Sequence, residues 1–292
     1  MSLLSILFER KELYITLRIL RRNPLSVIGS IIVAIFVIMA LAAVLVGDKV
    51  TPYNPYEIDL SRRLQPPSWT HLFGTDQLGR DVFSRVIIGA PIDLAIALIV
   101  VGASVVMGVA VGSIAGYYGG RFDEVLMRIT DVFLAFPIVM LALAVSMALG
   151  PGIFHVIEAL IVVWWPVYAR TARAEAMAVK ENQYIEAARA SGSSNFTIVR
   201  NHIVPNIISP LLVYGTLDLG FVILYASVLS YLGLGAQPPQ PEWGKMVFDG
   251  QIFLRSAWWV PIIPGLIILI VVIGFSLFGD ALRDALDPRM RK

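Results

Sequence analysis

The sequence predicts an all-α polytopic membrane protein with six transmembrane helices and both termini in the cytosol. Three observations predict it. Of the 292 residues, 57% are hydrophobic and only 15% are charged, against roughly 25% charged in an average soluble domain. The apolar residues fall in uncharged runs, and about 20 such residues span a bilayer as a helix. Roughly two thirds of the 23 Lys and Arg residues gather on the side of those runs that holds both chain ends, which marks that side as cytosolic.

Residues 1–24 carry Arg10, Lys11, Arg18, Arg21 and Arg22 and read as a cytosolic lead-in. Residues 25–46 form the first span. A signal peptide is the competing reading, because residues 40–43 offer small side chains at Ala40, Ala42 and Ala43, but the run is too long for a signal core. Residues 47–91 are an outer loop rich in proline (Pro52, Pro55, Pro66, Pro67). The second span, 92–116, repeats glycine every four residues at Gly108, Gly112 and Gly116. That strip without side chains lets another helix approach closely, either from a second subunit or from the same bundle. A connector, 117–128, leads to the third span, 129–149, which ends at Gly150-Pro151-Gly152. The fourth span, 153–178, is the least apolar and contains His155, Glu158 and Pro166. The fifth, 205–235, contains one acid, Asp218. An outer loop, 236–255, precedes the sixth span, 256–279, and a charged tail, 280–292.

The segment between the fourth and fifth spans, residues 179–204, is polar and helix-prone. Ala187, Ala188 and Ala190 favour a helix over Gln183 to Ser191, and Tyr184, Ala187, Ala188 and Ser191 share a face at helical spacing. Gly192 permits a sharp turn. A second short helical run, Phe196 to Ile203, ends at Pro205. The segment is either a docking element or an amphipathic loop packed on its own helices.

At these residues the sequence resembles the membrane permease subunits of ABC-type importers. Their hallmark is EAA, three residues, Gly, nine residues, then I-x-L-P. Here Glu186-Ala187-Ala188 is followed by Gly192 and, after nine more residues, by His202-Ile203-Val204-Pro205. His202 and Val204 depart from the hallmark Ile and Leu. Other stretches are similar to the dipeptide, oligopeptide and nickel branch, in its "C" subunit. They are Phe73-Gly74-Thr75-Asp76 with Gly79-Arg80-Asp81 and Ser84-Arg85, Met127-Arg128 with Asp131, and Leu134-Ala135-Phe136-Pro137. Leu232 to Pro239, Pro241-Glu242-Trp243-Gly244, and Gly279 to Pro288 continue the match.

The resemblance implies a type I ABC importer permease fold and a di- or oligopeptide path shared with a homologous second permease. It also implies two cytoplasmic ATPases, which would carry ATP and Mg, and an extracytoplasmic binding protein. Tyr184, Glu186, Ala187, Ala188, Gly192 and Pro205 would form the coupling helix, with Glu186 meeting an ATPase Arg. The loop bearing Gln237, Glu242 and Trp243 would receive the binding protein. Nickel chelates, glutathione or sugars are alternative cargoes within the branch. The expected location is a prokaryotic plasma membrane.

Without the resemblance, Asp76 and Asp81 with Arg80 and Arg85 suggest an Asx-type turn held by ion pairs, since a metal would need more ligands than these. No metal site is expected, nor a nucleic-acid partner. Arg128 and Asp131 are spaced for an intrahelical pair. Asp218 falls near mid-bilayer, either facing a path as a carboxylate for a peptide amine or buried within the bundle. The chain has no Cys, three His and no G-x-x-x-x-G-K-[ST] phosphate loop, so ATP hydrolysis would belong to another polypeptide. A self-sufficient secondary transporter is the rival class, and a membrane anchor fits six spans poorly.

Overall fold

A computed structural model describes residues 23–286. The predicted lead-in, except its last two residues, and residues 287–292 of the tail lie outside that range. The described chain is helical. Five helices are long and apolar enough to cross a membrane, or six if one bent pair counts as a single span. The chain divides into two units. One comprises residues to Leu94, Thr216–Leu224 and the chain from Pro241; the other comprises Ala95–Gly215 and Tyr225–Gln240.

In the first unit, α1 (Pro24–Val46) starts with Asn23 as its cap. The Asn23 side chain accepts from the Leu25 N–H at 3.0 Å and Pro24 takes the first turn. α1 packs on α10 (Trp259–Leu286) through small residues. A Cβ on Gly29 would meet the Leu277 Cβ at 2.6 Å, and one on Gly274 would meet the Ile32 Cβ at 2.9 Å. Phe36 of α1 stacks against Trp243 (centroids 5.4 Å) and Phe275 (5.9 Å). Trp243 opens α9 (Trp243–Gly250) and is fully buried.

Between α1 and α2 (Val82–Tyr118), the polar loop is tied by the expected turn. Asp76 Oδ1 accepts from the Leu78 N–H at 2.8 Å and the Arg80 N–H at 3.0 Å, and its Oδ2 meets Arg80 Nε at 2.7 Å. Arg85 lies 3.7 Å from the same carboxylate and donates to the Pro55 carbonyl. Asp81 accepts from the Ser84 N–H and hydroxyl and pairs with His71 at 2.8 Å. Every one of these charged groups is buried. Among the described residues no cluster of three or more potential metal ligands exists.

In the second unit, the third predicted span is a bent pair. α3 (Gly120–Leu134) and α4 (Ile138–Leu149) meet at 89°. Proline explains the break. The residue before Pro137 is pushed out of helical conformation, and Pro137 itself is extended (φ −58°, ψ 130°). α5 (Ile153–Lys180) has the largest buried share of the spanning helices, which suits its modest apolarity. The glycine strip of α2 lies on α5. A Cβ at Gly108 would be 2.3 Å from the Tyr168 Cβ, one at Gly112 would be 2.3 Å from the Ala169 carbonyl, and one at Gly116 would be 2.6 Å from the Arg173 carbonyl. The chain's own α5 thus occupies the strip, which is the same-bundle reading of the two that the sequence left open.

Two expectations are corrected. Arg128 reaches back to Glu124 at 3.8 Å rather than forward to Asp131, and Asp131 takes Arg170 of α5 instead. The helix that includes Phe196 does not stop at Pro205. It begins as α7 (Asn195–Ile198), widens into a π-helical turn over Val199–Ile203, and continues as α8 (Val204–Tyr231). The Val204 N–H bonds the Val199 carbonyl, five residues back. A wide turn there admits a proline, which has no N–H and would crowd the carbonyl four residues before it. Helix bounds differ at other edges as well. α2 starts ten residues before the predicted second span, and α10 continues as helix past residue 279.

Candidate functional site: the helical hairpin between α5 and α8

The hairpin is built from short-range hydrogen bonds. The Asn182 side chain donates to the Val179 carbonyl at 2.9 Å and closes the end of α5. Then α6 (Gln183–Ala190) begins, with the Ile185 N–H on the Asn182 carbonyl at 2.9 Å. Its far end is a Schellman cap: the Gly192 N–H bonds the Arg189 carbonyl at 2.9 Å and the Ser193 N–H bonds the Ala188 carbonyl at 3.1 Å. Gly192 has φ +82°, a conformation that suits glycine. The Ser194 hydroxyl accepts from the Thr197 N–H at 3.2 Å and starts α7. Three residues, Gly192 to Ser194, therefore carry the whole reversal between two capped ends.

One residue anchors α6. Ile185 is 0% exposed, Ala188 is half-buried, and the other six residues of the helix are exposed. Sequence reasoning passed over Ile185, although it is the one aliphatic side chain in an otherwise polar and alanine-rich helix. Tyr184, Glu186 and Ala187 face outward, as do Gly192 and Pro205. The arms are held to the last turn of α2: the Tyr117 hydroxyl donates to Asn195 Oδ1 at 2.9 Å, and the Arg189 guanidinium lies 5.3 Å above the Tyr117 ring. Tyr184 and His202 bring their rings to 6.3 Å, so the histidine at the hallmark Ile position touches α6. Beside the hairpin runs an apolar groove lined by Ile114, Tyr118, Phe196 and Val204.

Behind it, α3 is strapped to α5. Arg173 makes a two-point contact with Asp123, its Nη2 donating to Oδ2 at 2.6 Å, and Arg170 pairs with Asp131. The hairpin is thus continuous with a braced helix on one side and with α8 on the other. Such an arrangement can transmit a push on α6 as rigid-body motion.

The other predicted site residues fall elsewhere. Gln237 is exposed. Glu242 and Trp243 are 0% exposed and cannot offer their side chains to a docking protein, which corrects that expectation. The reason is local. Glu242 caps α9, accepting from the Gly244 N–H at 2.9 Å and the Lys245 N–H at 2.8 Å, while the Trp243 indole donates to the Val86 carbonyl at 3.0 Å. Asp218 is half-buried midway along α8.

Comparison with known proteins agrees with this architecture. Residues 108–292 match the family described as binding-protein-dependent transport system inner membrane component. Residues 13–67 match the N-terminal TM domain of oligopeptide transport permease C. The chain is 42% identical to the dipeptide transport system permease protein DppC of Alkalihalophilus pseudofirmus, over 93% of this chain and 88% of that one. It is 40% identical to the probable D,D-dipeptide transport system permease protein DdpC of Escherichia coli, over 92% and 89%. It is 41% identical to an Escherichia coli glutathione transport system permease protein, GsiD, over 88% and 86%. Among solved structures, the inward-facing MetNI methionine ABC transporter has a chain of the same fold. The TM-score is 0.54 at 21% identity, over 70% of this chain and 97% of that one. This chain belongs to the family of binding-protein-dependent transport system inner membrane components and is a multi-pass permease subunit of a bacterial ABC importer.

Proposed function

We propose that the chain forms half of a translocation path for dipeptides and short oligopeptides, and that α6 is the element through which separate cytoplasmic ATPases drive it. The peptide cargo rests on the relatives, two of which are named for dipeptides. The coupling role rests on one observation: α6 is a short helix closed by a Schellman cap, with six of its eight residues exposed and a single aliphatic anchor. A helix that packed only on its own bundle would bury a stripe.

In this reading the hairpin faces the cytosol, which the distribution of Lys and Arg supports. Ala187 and Ala188 keep the rod narrow enough for a groove, and Glu186 offers its carboxylate to a cation of the ATPase. Closure of the ATPases moves α6, and α5 and α8 move with it. A homologous second permease completes the path, ATP and Mg stay with the ATPases, and an extracytoplasmic binding protein delivers cargo. Gln237 remains a candidate contact for that protein; Glu242 and Trp243 do not.

Glu186→Lys tests the coupling role. The variant should reach the membrane at the normal level, because Glu186 is exposed and supports no internal contact. In the assembled complex its substrate-stimulated ATPase activity should fall at least tenfold. Normal stimulation would remove α6 from the mechanism. Glutathione is a second cargo that a specific observation favours, the likeness to the glutathione permease. Competition between dipeptide and glutathione for uptake separates the two.

A further inference from the structure

The fold leaves a groove open beside the hairpin. One wall is the end of α2, where Ala110, Ile114 and Tyr118 follow one another at helical spacing. The facing wall is Phe196 of α7, Arg200 of the π-helical turn and Val204 of α8. The walls run antiparallel. The Tyr117 hydroxyl bonds Asn195 near one end, and farther along a Cβ on Gly215 of α8 would meet Val101 of α2 at 3.1 Å. Tyr118 and Phe196 therefore stand at one end of the groove, and Ala110 and Val204 at the other. Its volume is about 330 Å³, within the roughly 300–1,000 Å³ typical of ligand pockets.

The lining is apolar apart from two donors. Ser113 is buried and its hydroxyl donates to the Ala110 carbonyl at 3.3 Å, so it is already used. No acidic side chain lines the groove. Arg200 is exposed, and among the described residues no carboxylate pairs with it. The hairpin's other arginine, Arg189, lies over the Tyr117 ring. The Tyr118 hydroxyl likewise has no partner among the described residues, while its ring is held by Tyr117 at 5.2 Å and Phe122 at 5.9 Å. The depth of the groove in the membrane follows from the sequence. α2 carries no charged residue from Leu94 to Tyr118, and Arg121 comes soon after, so this end of the helix lies where hydrocarbon gives way to headgroups.

We propose that the groove binds one anionic phospholipid of the surrounding bilayer. An acyl chain lies against Ala110, Ile114 and Val204, and the phosphate accepts from the Arg200 guanidinium and the Tyr118 hydroxyl. The polarity of the groove is graded in the order of a lipid: hydrocarbon at the deep end, then the two donors, with aromatic rings at the membrane surface. An unpaired guanidinium selects a negative charge, and its planar fork suits a phosphate. A protein wall docked here would have to bring a carboxylate to the edge of the hydrocarbon, which is costly. A phospholipid already carries its phosphate at that depth. The bound lipid touches the arm that leads from α6 into α8. The site needs only that α2 spans the membrane, so it stands apart from the cargo and from the grip on α6.

Native mass spectrometry of the assembled importer, released from bilayers of phosphatidylglycerol and phosphatidylcholine in equal amounts, tests this by counting the lipids that stay bound. Wild type should retain phosphatidylglycerol in excess over phosphatidylcholine. Arg200→Gln removes the cation and should reduce that excess about fivefold, the weight of one basic residue at an anionic membrane surface. Ile114→Trp fills the groove without changing its charge and should abolish the excess. Arg200→Lys should restore most of it. Equal retention of the two lipids by wild type overturns the proposal, and this is also the result if a second permease fills the groove. An excess that is unchanged in Arg200→Gln or in Ile114→Trp overturns it as well, because the lipid then sits elsewhere. Should one variant fail to assemble, the other variant and the wild-type comparison carry the test.

Discussion

Single glycines set the tolerances of this molecule, and they do so in opposite ways. On α2, Gly112 faces backbone: an added methyl would sit 2.3 Å from the Ala169 carbonyl and 2.6 Å from the Ala172 Cβ. Gly102, on the same helix, has nothing within 4 Å. Gly112→Ala should therefore lower the thermal midpoint of the purified protein, at a cost of about 1–3 kcal/mol for overpacking. Gly102→Ala should leave it unchanged or raise it, since alanine gains up to ~1 kcal/mol of helix propensity over glycine. Equal behaviour of the two variants would refute the close approach of α2 and α5. Residue identities also show what the sequence could and could not disclose. Asp76 and its turn were legible, because Leu78 and Arg80, which close it, lie within four residues. Asp131 was not, because its partner, Arg170, is 39 positions away and the local Arg128 offered a false one.

At the scale of elements, α3 is held to α5 by two ion pairs of different quality. The Arg170–Asp131 pair has side chains 58% and 54% exposed; Arg173 and Asp123 are 31% and 19% exposed. Exposed pairs contribute roughly 0.2–1 kcal/mol, whereas two-point contacts away from solvent contribute more. Double-mutant cycles on thermal stability should give a coupling energy below about 1 kcal/mol for Arg170–Asp131 and a clearly larger one for Arg173–Asp123. The reverse order would mean that the inner pair is not formed. Elements were read well where composition changes sharply. The start of α6 and the turn at Gly192 stood out because a polar, alanine-rich stretch interrupts apolar helices. The bend between α3 and α4 was missed because residues 129–149 form one mostly apolar run, in which Pro137 outweighs hydropathy. Trp243 and Glu242 were misread as exposed because their burial depends on Phe36 and Val86, about 150–200 residues earlier in the chain.

For the whole molecule, the fold class and family were legible because they rest on many independent stretches in order. The path itself was not, since in the proposed reading a second permease supplies the rest of its wall. What joins the scales is a claim about sidedness and grip: the hairpin at Gln183–Ala190 enters the cytosol and is held there by a motor protein. The chain has no native cysteine, so a single Ala187→Cys gives an unambiguous probe. The decisive measurement is labelling and cross-linking of that cysteine in the assembled importer. An impermeant thiol reagent should modify it in inside-out vesicles and not in right-side-out ones, and a short bifunctional cross-linker should join it to an ATPase subunit. Modification from the outer side, or a full yield of assembled complex with no cross-link to the ATPase, would contradict the account.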